Sequence, residues 1–143
     1  DAFEELLSDS GIRYLRHSVE PLRGKPRLRR PVNLLKCVTL SVLGGWRSSR
    51  TAAPVGFIGT RHSGCMDTAT LVAYLRNMEP GTWEIVSHPG TGVLDNASGY
   101  QTSAVRHMRS AGRQLEWEAL VSETARTALA EAGIMAVRFS DLA

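Results

Sequence analysis

The sequence predicts an α/β domain built as part of a β/α barrel, with about four parallel strands and intervening helices. Three observations predict it. Helix-period and strand-period segments alternate along the chain, and regular alternation means parallel strands joined by crossovers. The 143 residues are 43% hydrophobic and 22% charged, enough for one domain with its own core and too apolar for bulk disorder. The segment with the most site-like chemistry, Ser87-His88-Pro89-Gly90, falls where a strand ends, and strand C-termini carry the functional side chains of such barrels.

Taken in order, residues 2–8 read as the end of an amphipathic helix closed by Gly11, so the chain is expected to start inside a helix with sequence missing upstream. Ile12 to Arg16 alternates as a strand. Glu20-Pro21 opens a basic loop to Arg30. Pro31 suits the first position of a helix over Val32 to Leu43, ended by Gly44-Gly45. Val55 to Gly59 is a short buried strand whose glycines imply close approach of a ligand or another element. Asp67 caps a helix through about Met78. Pro80-Gly81 turns the chain into a strand over Trp83 to Val86. After a loop from Thr91 to Thr102, Ser103 to Trp117 or beyond is helical. Ser122 starts another helix to Ala132, Gly133 ends it, and Ile134 to Phe139 is expected as a last strand.

Charge and cysteine usage narrow the partners. The formal net charge is +3. Arg23, Lys25, Arg27, Arg29 and Arg30 lie in one run, followed by Arg47 and Arg50. No aromatics interleave and no reader motif is present, so a solvated loop is favoured over a specific nucleic-acid site. Attraction to anionic lipid headgroups is a third reading. Cys37 and Cys65 fit no metal spacing and read as reduced thiols, which points to a cytoplasmic location. No apolar run has the length of a transmembrane segment, and no signal peptide is visible.

Of the four histidines, His17 follows a strand end, His62 sits in a loop and His107 lies on a basic helical face facing solvent. No two have the spacing of a helical zinc site. His88 differs through its neighbours. Pro89 fixes one dihedral and Gly90 frees the next, so a sharp turn would aim the imidazole. Imidazole titrates near neutrality, which suits proton transfer. A histidine packed at a strand end explains the same residues, and both readings stand at this level. Glu20, Glu84 and Asp95 are the carboxylates nearest strand ends or loops; the strand's parity leaves open whether Glu84 faces inward.

A wider series of residues adds to this. It runs Gly11-Ile12-Arg13-Tyr14-Leu15-Arg16, Glu20-Pro21, Phe57-Ile58-Gly59 with Ser63-Gly64, His88-Pro89-Gly90, Arg113 to Leu120, Gly133-Ile134 and Phe139. In that order it resembles the C-terminal half of YdjC-like carbohydrate deacetylases, and most closely the hopanoid-biosynthesis-associated HpnK branch. The resemblance implies a β/α barrel of the glycoside hydrolase/deacetylase type, of which residues 1–143 form the C-terminal part of a single domain. It implies metal-dependent removal of an acetyl group from an N-acetylated sugar or sugar-lipid. It puts His88 in the catalytic role of proton donor to the leaving amine, with Arg16, Glu20, Pro89 and Gly90 around the substrate.

The same resemblance implies a divalent metal, Mg or Zn, held in the complete domain by an Asp in an Ala-Asp-Asp-Phe-Gly motif and by histidines ending in a His-x-His segment. Neither motif occurs here. The expectation is that this chain holds no metal and is inactive alone. Three rivals remain. One is a non-catalytic half-barrel acting by association, for instance as a homodimer hiding a sheet edge. Another is a binder of anionic surfaces or nucleic acid through the Arg23–Arg30 run. The last is a glycosidase with paired carboxylates, disfavoured by how few lie near strand ends.

Overall fold

A computed structural model describes residues 19–21, 31–45, 55–91 and 111–142. The expected helix end at 2–8, the strand at 12–16, the basic loop up to Arg30, the loop after Thr91 and the residues Arg16, His17, Asp95 and His107 lie outside the described residues.

The described elements begin with helix α1, Pro31–Gly45. Strand β1, Val55–Ile58, follows, then a 3-10 turn over Thr60–His62. Helix α2 is Thr68–Arg76 and strand β2 is Thr82–Ile85. Helices α3, Ala111–Val121, and α4, Glu123–Glu131, come next, and a 3-10 turn over Phe139–Leu142 closes the described chain. The two strands pair in parallel, Val55 opposite Thr82 through Ile58 opposite Ile85. The Val86 N–H donates to the Ile58 carbonyl at 2.8 Å and carries the ladder one residue further.

Local chemistry sets the helix ends. The Asp67 carboxylate accepts from the Thr70 N–H, and the Ser122 hydroxyl accepts from the Ala125 N–H, so both expected caps form. Gly133 adopts φ 63°. Its N–H donates to the Ala130 carbonyl and the Ile134 N–H to the Leu129 carbonyl, the paired bonds of a Schellman stop.

Helix α2 packs on both α3 and α4. The shared core is Ile58, Met66, Leu71, Val72, Tyr74 and Leu75 against Ala119, Ala125 and Ala128. The alanines let the helices approach closely. The close approach expected at the β1 glycines is to β2 itself. A side chain on Gly56 would collide with the Trp83 ring, and one on Gly59, at φ 119°, with the Val86 carbonyl.

One expectation is corrected. Of the roughly four strands expected, β1 and β2 form, and the one at Ile12 to Arg16 lies outside the described residues. Ile134 to Phe139, expected as a strand, forms none: residues 134–138 carry no regular structure and Met135 is 81% exposed. A strand exists only against a neighbour. The first donor of this one, the Ile134 N–H, is already spent on the helix stop.

Candidate functional site

The turn that leaves β1 and the segment that leaves β2 meet at one end of the sheet. Helix α3 closes against both. Gly112 makes this possible, because a side chain there would run into the Gly64 carbonyl. Four residues on, Glu116 is wholly buried. Its Oε1 accepts from the Gly64 N–H, while Oε2 accepts from the His88 N–H and, at 3.1 Å, from the Ser87 hydroxyl. The Gly90 N–H donates to the Arg113 carbonyl at 3.0 Å. One helix therefore holds the Ser87-to-Gly90 segment at two points.

His88 is exposed. Its Nδ1 lies 3.5 Å from Ser63 Oγ. Glu116 grips the backbone beside each member of this pair, Gly64 next to Ser63 and the N–H of His88 itself. The sequence attributes the orientation of His88 to a turn at Pro89-Gly90. That is corrected here. Gly90 does not take the left-handed conformation, and the buried carboxylate fixes the segment instead. The imidazole is left exposed at the C-terminal end of β2. Pro89 is exposed and Gly90 half-buried beside it.

Glu20 lies elsewhere in the hydrogen-bond pattern. It is buried, and both its oxygens are used internally. Oε1 accepts from the Tyr74 hydroxyl at 2.8 Å, and Oε2 accepts from the Arg61 N–H at 2.9 Å and from the Cys37 thiol at 3.9 Å. The Tyr74 hydroxyl has one proton and gives it to Glu20. Its oxygen therefore accepts from His62 Nδ1, 2.7 Å away, which assigns the proton of that imidazole to Nδ1. Burial, then the charge of Glu20, pushes the Tyr74 hydroxyl well above its ordinary pKa. The same two causes in the same order raise the Cys37 thiol, with Arg61 opposing. Asn33 donates to the carbonyls of Arg61 and Ser63. The 60–64 turn is thus tied down on every side.

Sequence reasoning singled out His88, Pro89 and Gly90 here but missed three buried residues, Glu116, His62 and Tyr74. Glu116 had one signal. Gly112, Glu116 and Ala119 fall on one helical stripe, and these are the buried positions of α3. His62 looked like a loop residue and had none. Glu20, expected at the substrate, is buried with both oxygens hydrogen-bonded within the protein.

Among the described residues, no three His, Cys, Asp or Glu side chains stand together as metal ligands. His88 and Glu116 make two at most, and both Glu116 oxygens already accept hydrogen bonds. The residues described do not fit a metal centre. None of their helices is long and apolar enough to cross a membrane.

The profile of a family described as YdjC-like protein matches residues 1–131. No curated protein and no solved structure matches the chain.

Proposed function

The chain belongs to the YdjC-like family, and we propose that it carries the proton-donating part of a carbohydrate deacetylase. The observation that carries this reading is the exposed His88 imidazole, held at the end of β2 by a buried carboxylate and paired through Nδ1 with Ser63. The reaction is hydrolysis of an acetamide on a sugar. Water adds to the acetyl carbonyl, the C–N bond breaks, and acetate and an amine leave. The departing nitrogen needs a proton as that bond breaks. His88 supplies it from Nε2, the ring nitrogen opposite Ser63. Glu116 is the positioning residue, because it sets the backbone on which the imidazole stands. Pro89 and Gly90 border the sugar.

Activation of the water is not assigned to any residue described here. In the resemblance it belongs to the Ala-Asp-Asp-Phe-Gly and His-x-His motifs and the divalent Mg or Zn they hold, which lie outside this sequence. The two-strand unit is then one arc of a β/α barrel. The ordered motifs favour the hopanoid-associated branch, which makes a lipid-borne acetylated sugar the finer proposal.

The test is reconstitution. The 143-residue chain is mixed with the N-terminal half of a family member, and acetate release from chitooligosaccharides is measured. The chain alone releases none, even with added zinc or magnesium. The pair does, and His88→Ala in the pair lowers kcat by roughly a hundredfold or more. Turnover by the chain alone, or full turnover by the His88→Ala pair, sinks the reading.

A further inference from the structure

Arg113 belongs to the frame that holds the candidate site, yet its guanidinium serves nothing within that frame. It lies one turn before Glu116 on α3, and residues three apart on a helix share a face. Its carbonyl accepts from the Gly90 N–H at 3.0 Å, while Glu116 accepts from the His88 N–H. The stem of Arg113 therefore starts beside the segment that carries His88. The residue is half-buried. Its Nε is buried and meets no hydrogen-bond acceptor.

Other arginines are provided for. Arg76 pairs with Glu131 and Arg126 with Glu123, each at 3.2 Å. Arg138 is exposed, where water serves it. Among the described residues the Arg113 guanidinium makes no ion pair, and the carboxylates nearest along the helix are committed elsewhere. Both Glu116 oxygens accept from Gly64, Ser87 and His88. Glu118 accepts from Gln114 on the exposed side of α3.

A buried N–H without an acceptor is costly, the more so on a charged group, and folded proteins keep few of them. An anion would both satisfy the Nε and balance the charge. Nε and the neighbouring Nη form one edge of a planar fork that matches the two oxygens of a carboxylate. A phosphate would call for further donors, and the N–H groups of Gly64, His88 and Gly90 are already bonded.

We propose that Arg113 is the recognition residue for a carboxylate bound beside the His88 segment, gripped side-on through Nε and one Nη. Two sources supply such a group. One is acetate, the product of the deacetylation proposed above. The other is a carboxylate carried by the sugar itself. The binding site stands on α3 and the Ser87-to-Gly90 segment, and only its assignment to acetate rests on the deacetylase reading.

The test is equilibrium binding by the 143-residue chain, with no turnover involved. The His88 and Gly90 amide resonances are followed by NMR as sodium acetate, sodium glucuronate or sodium phosphate replaces sodium chloride at constant ionic strength. A carboxylate shifts both resonances saturably. Arg113→Gln and Arg113→Lys each weaken that binding at least about tenfold, because lysine keeps the charge but not the fork. Saturation by acetate assigns the site to the product, and saturation by glucuronate alone assigns it to the sugar. Absence of saturable binding by either carboxylate overturns the proposal. So does undiminished binding by Arg113→Lys, since a point charge would then suffice, and so does phosphate binding more tightly than both carboxylates. The amide spectrum reports whether each variant is folded, and Arg113→Lys, which keeps charge and stem, decides if Arg113→Gln is not. Failure of the reconstituted pair to release acetate would sink the deacetylase reading and leave carboxylate binding standing.

Discussion

Among the described residues two carboxylates are buried, Glu20 and Glu116, and both hold the same turn. Glu20 takes the Arg61 N–H and Glu116 takes the Gly64 N–H, three residues apart. Their other partners differ. Glu20 faces a tyrosine hydroxyl and a thiol, which can rotate and belong to helices. Glu116 faces the His88 N–H and the Ser87 hydroxyl, which belong to the segment leaving β2. The first carboxylate fastens the turn to the protein's interior. The second fastens it to the candidate site. Burial alone does not separate a structural carboxylate from a positioning one; the identity of the donors does.

The largest expected effect tests that distinction directly. Glu116→Ala leaves two backbone N–H groups without acceptors, and these cannot turn away to find others. Hydrogen bonds to a charged group contribute about 1.5–3 kcal/mol each, so the cost is roughly 3 kcal/mol or more, read by urea denaturation. Glu20→Ala costs less, because the Tyr74 hydroxyl and the Cys37 thiol can rotate. A larger loss from Glu20→Ala would break the comparison. Gly112→Ala comes next. Its methyl group would press on the Gly64 carbonyl, so α3 must back away or the turn must yield, at about 1–3 kcal/mol. Because the same helix carries Glu116, this variant also weakens the grip on His88. Its amide resonance then moves in an NMR spectrum together with that of Gly64.

What the sequence made legible was mostly local. The Asp67 and Ser122 caps and the Gly133 stop are settled within a few residues of chain, so α2 and α4 were readable with nearly their observed ends. Strands β1 and β2 were readable because short apolar runs sat between turn signals. The strand at Ile134 to Phe139 was not, because a strand depends on a neighbour that local pattern cannot supply. Helices α1 and α3 were legible as helices but not as surfaces. Both turn polar or small residues inward, Asn33 and Cys37 in one, Gly112 and Glu116 in the other, and leave several large apolar residues outside. A glutamate in a helix reads as solvated until two N–H groups from distant loops are seen pointing at it. His88 was found because its neighbours are unusual, but the cause assigned to its orientation was the wrong one.

The Glu20 side makes a smaller prediction with a pH signature. Tyr74→Phe removes the donor to Glu20 and the acceptor of His62, costing about 1–2 kcal/mol near neutral pH. Tyr74 and Cys37 both have pKa values raised above their ordinary 10.0 and 9.0. In the unfolded chain the thiol loses its proton near its ordinary value, while in the fold it keeps it. The unfolded state then binds fewer protons, so stability falls as pH rises. The decline begins near the ordinary thiol value and steepens near the ordinary phenol value, each continuing to the higher folded one. Replacing Cys37 with Ala removes the first part of the slope, and Tyr74→Phe removes the second. A stability curve flat through that alkaline range would show that neither group is protected by this network.

The smallest effect decides what the sequence left open. A histidine packed at a strand end supports the fold, whereas one presented to a substrate does not need to. His88 is exposed, its ring touches only Ser63 among the hydrogen bonds described, at 3.5 Å, and the carboxylate holds its backbone rather than its ring. An exposed side chain of this kind changes stability by no more than about 0.5 kcal/mol when truncated. His88→Ala should therefore unfold in urea with the wild-type midpoint, and Ser63→Ala should do the same. The His88 N–H stays on Glu116 in that variant, so its amide remains as protected from hydrogen exchange as before. If His88→Ala instead destabilises as much as Tyr74→Phe, the imidazole is part of the packing, and the two carboxylates would differ in place but not in kind.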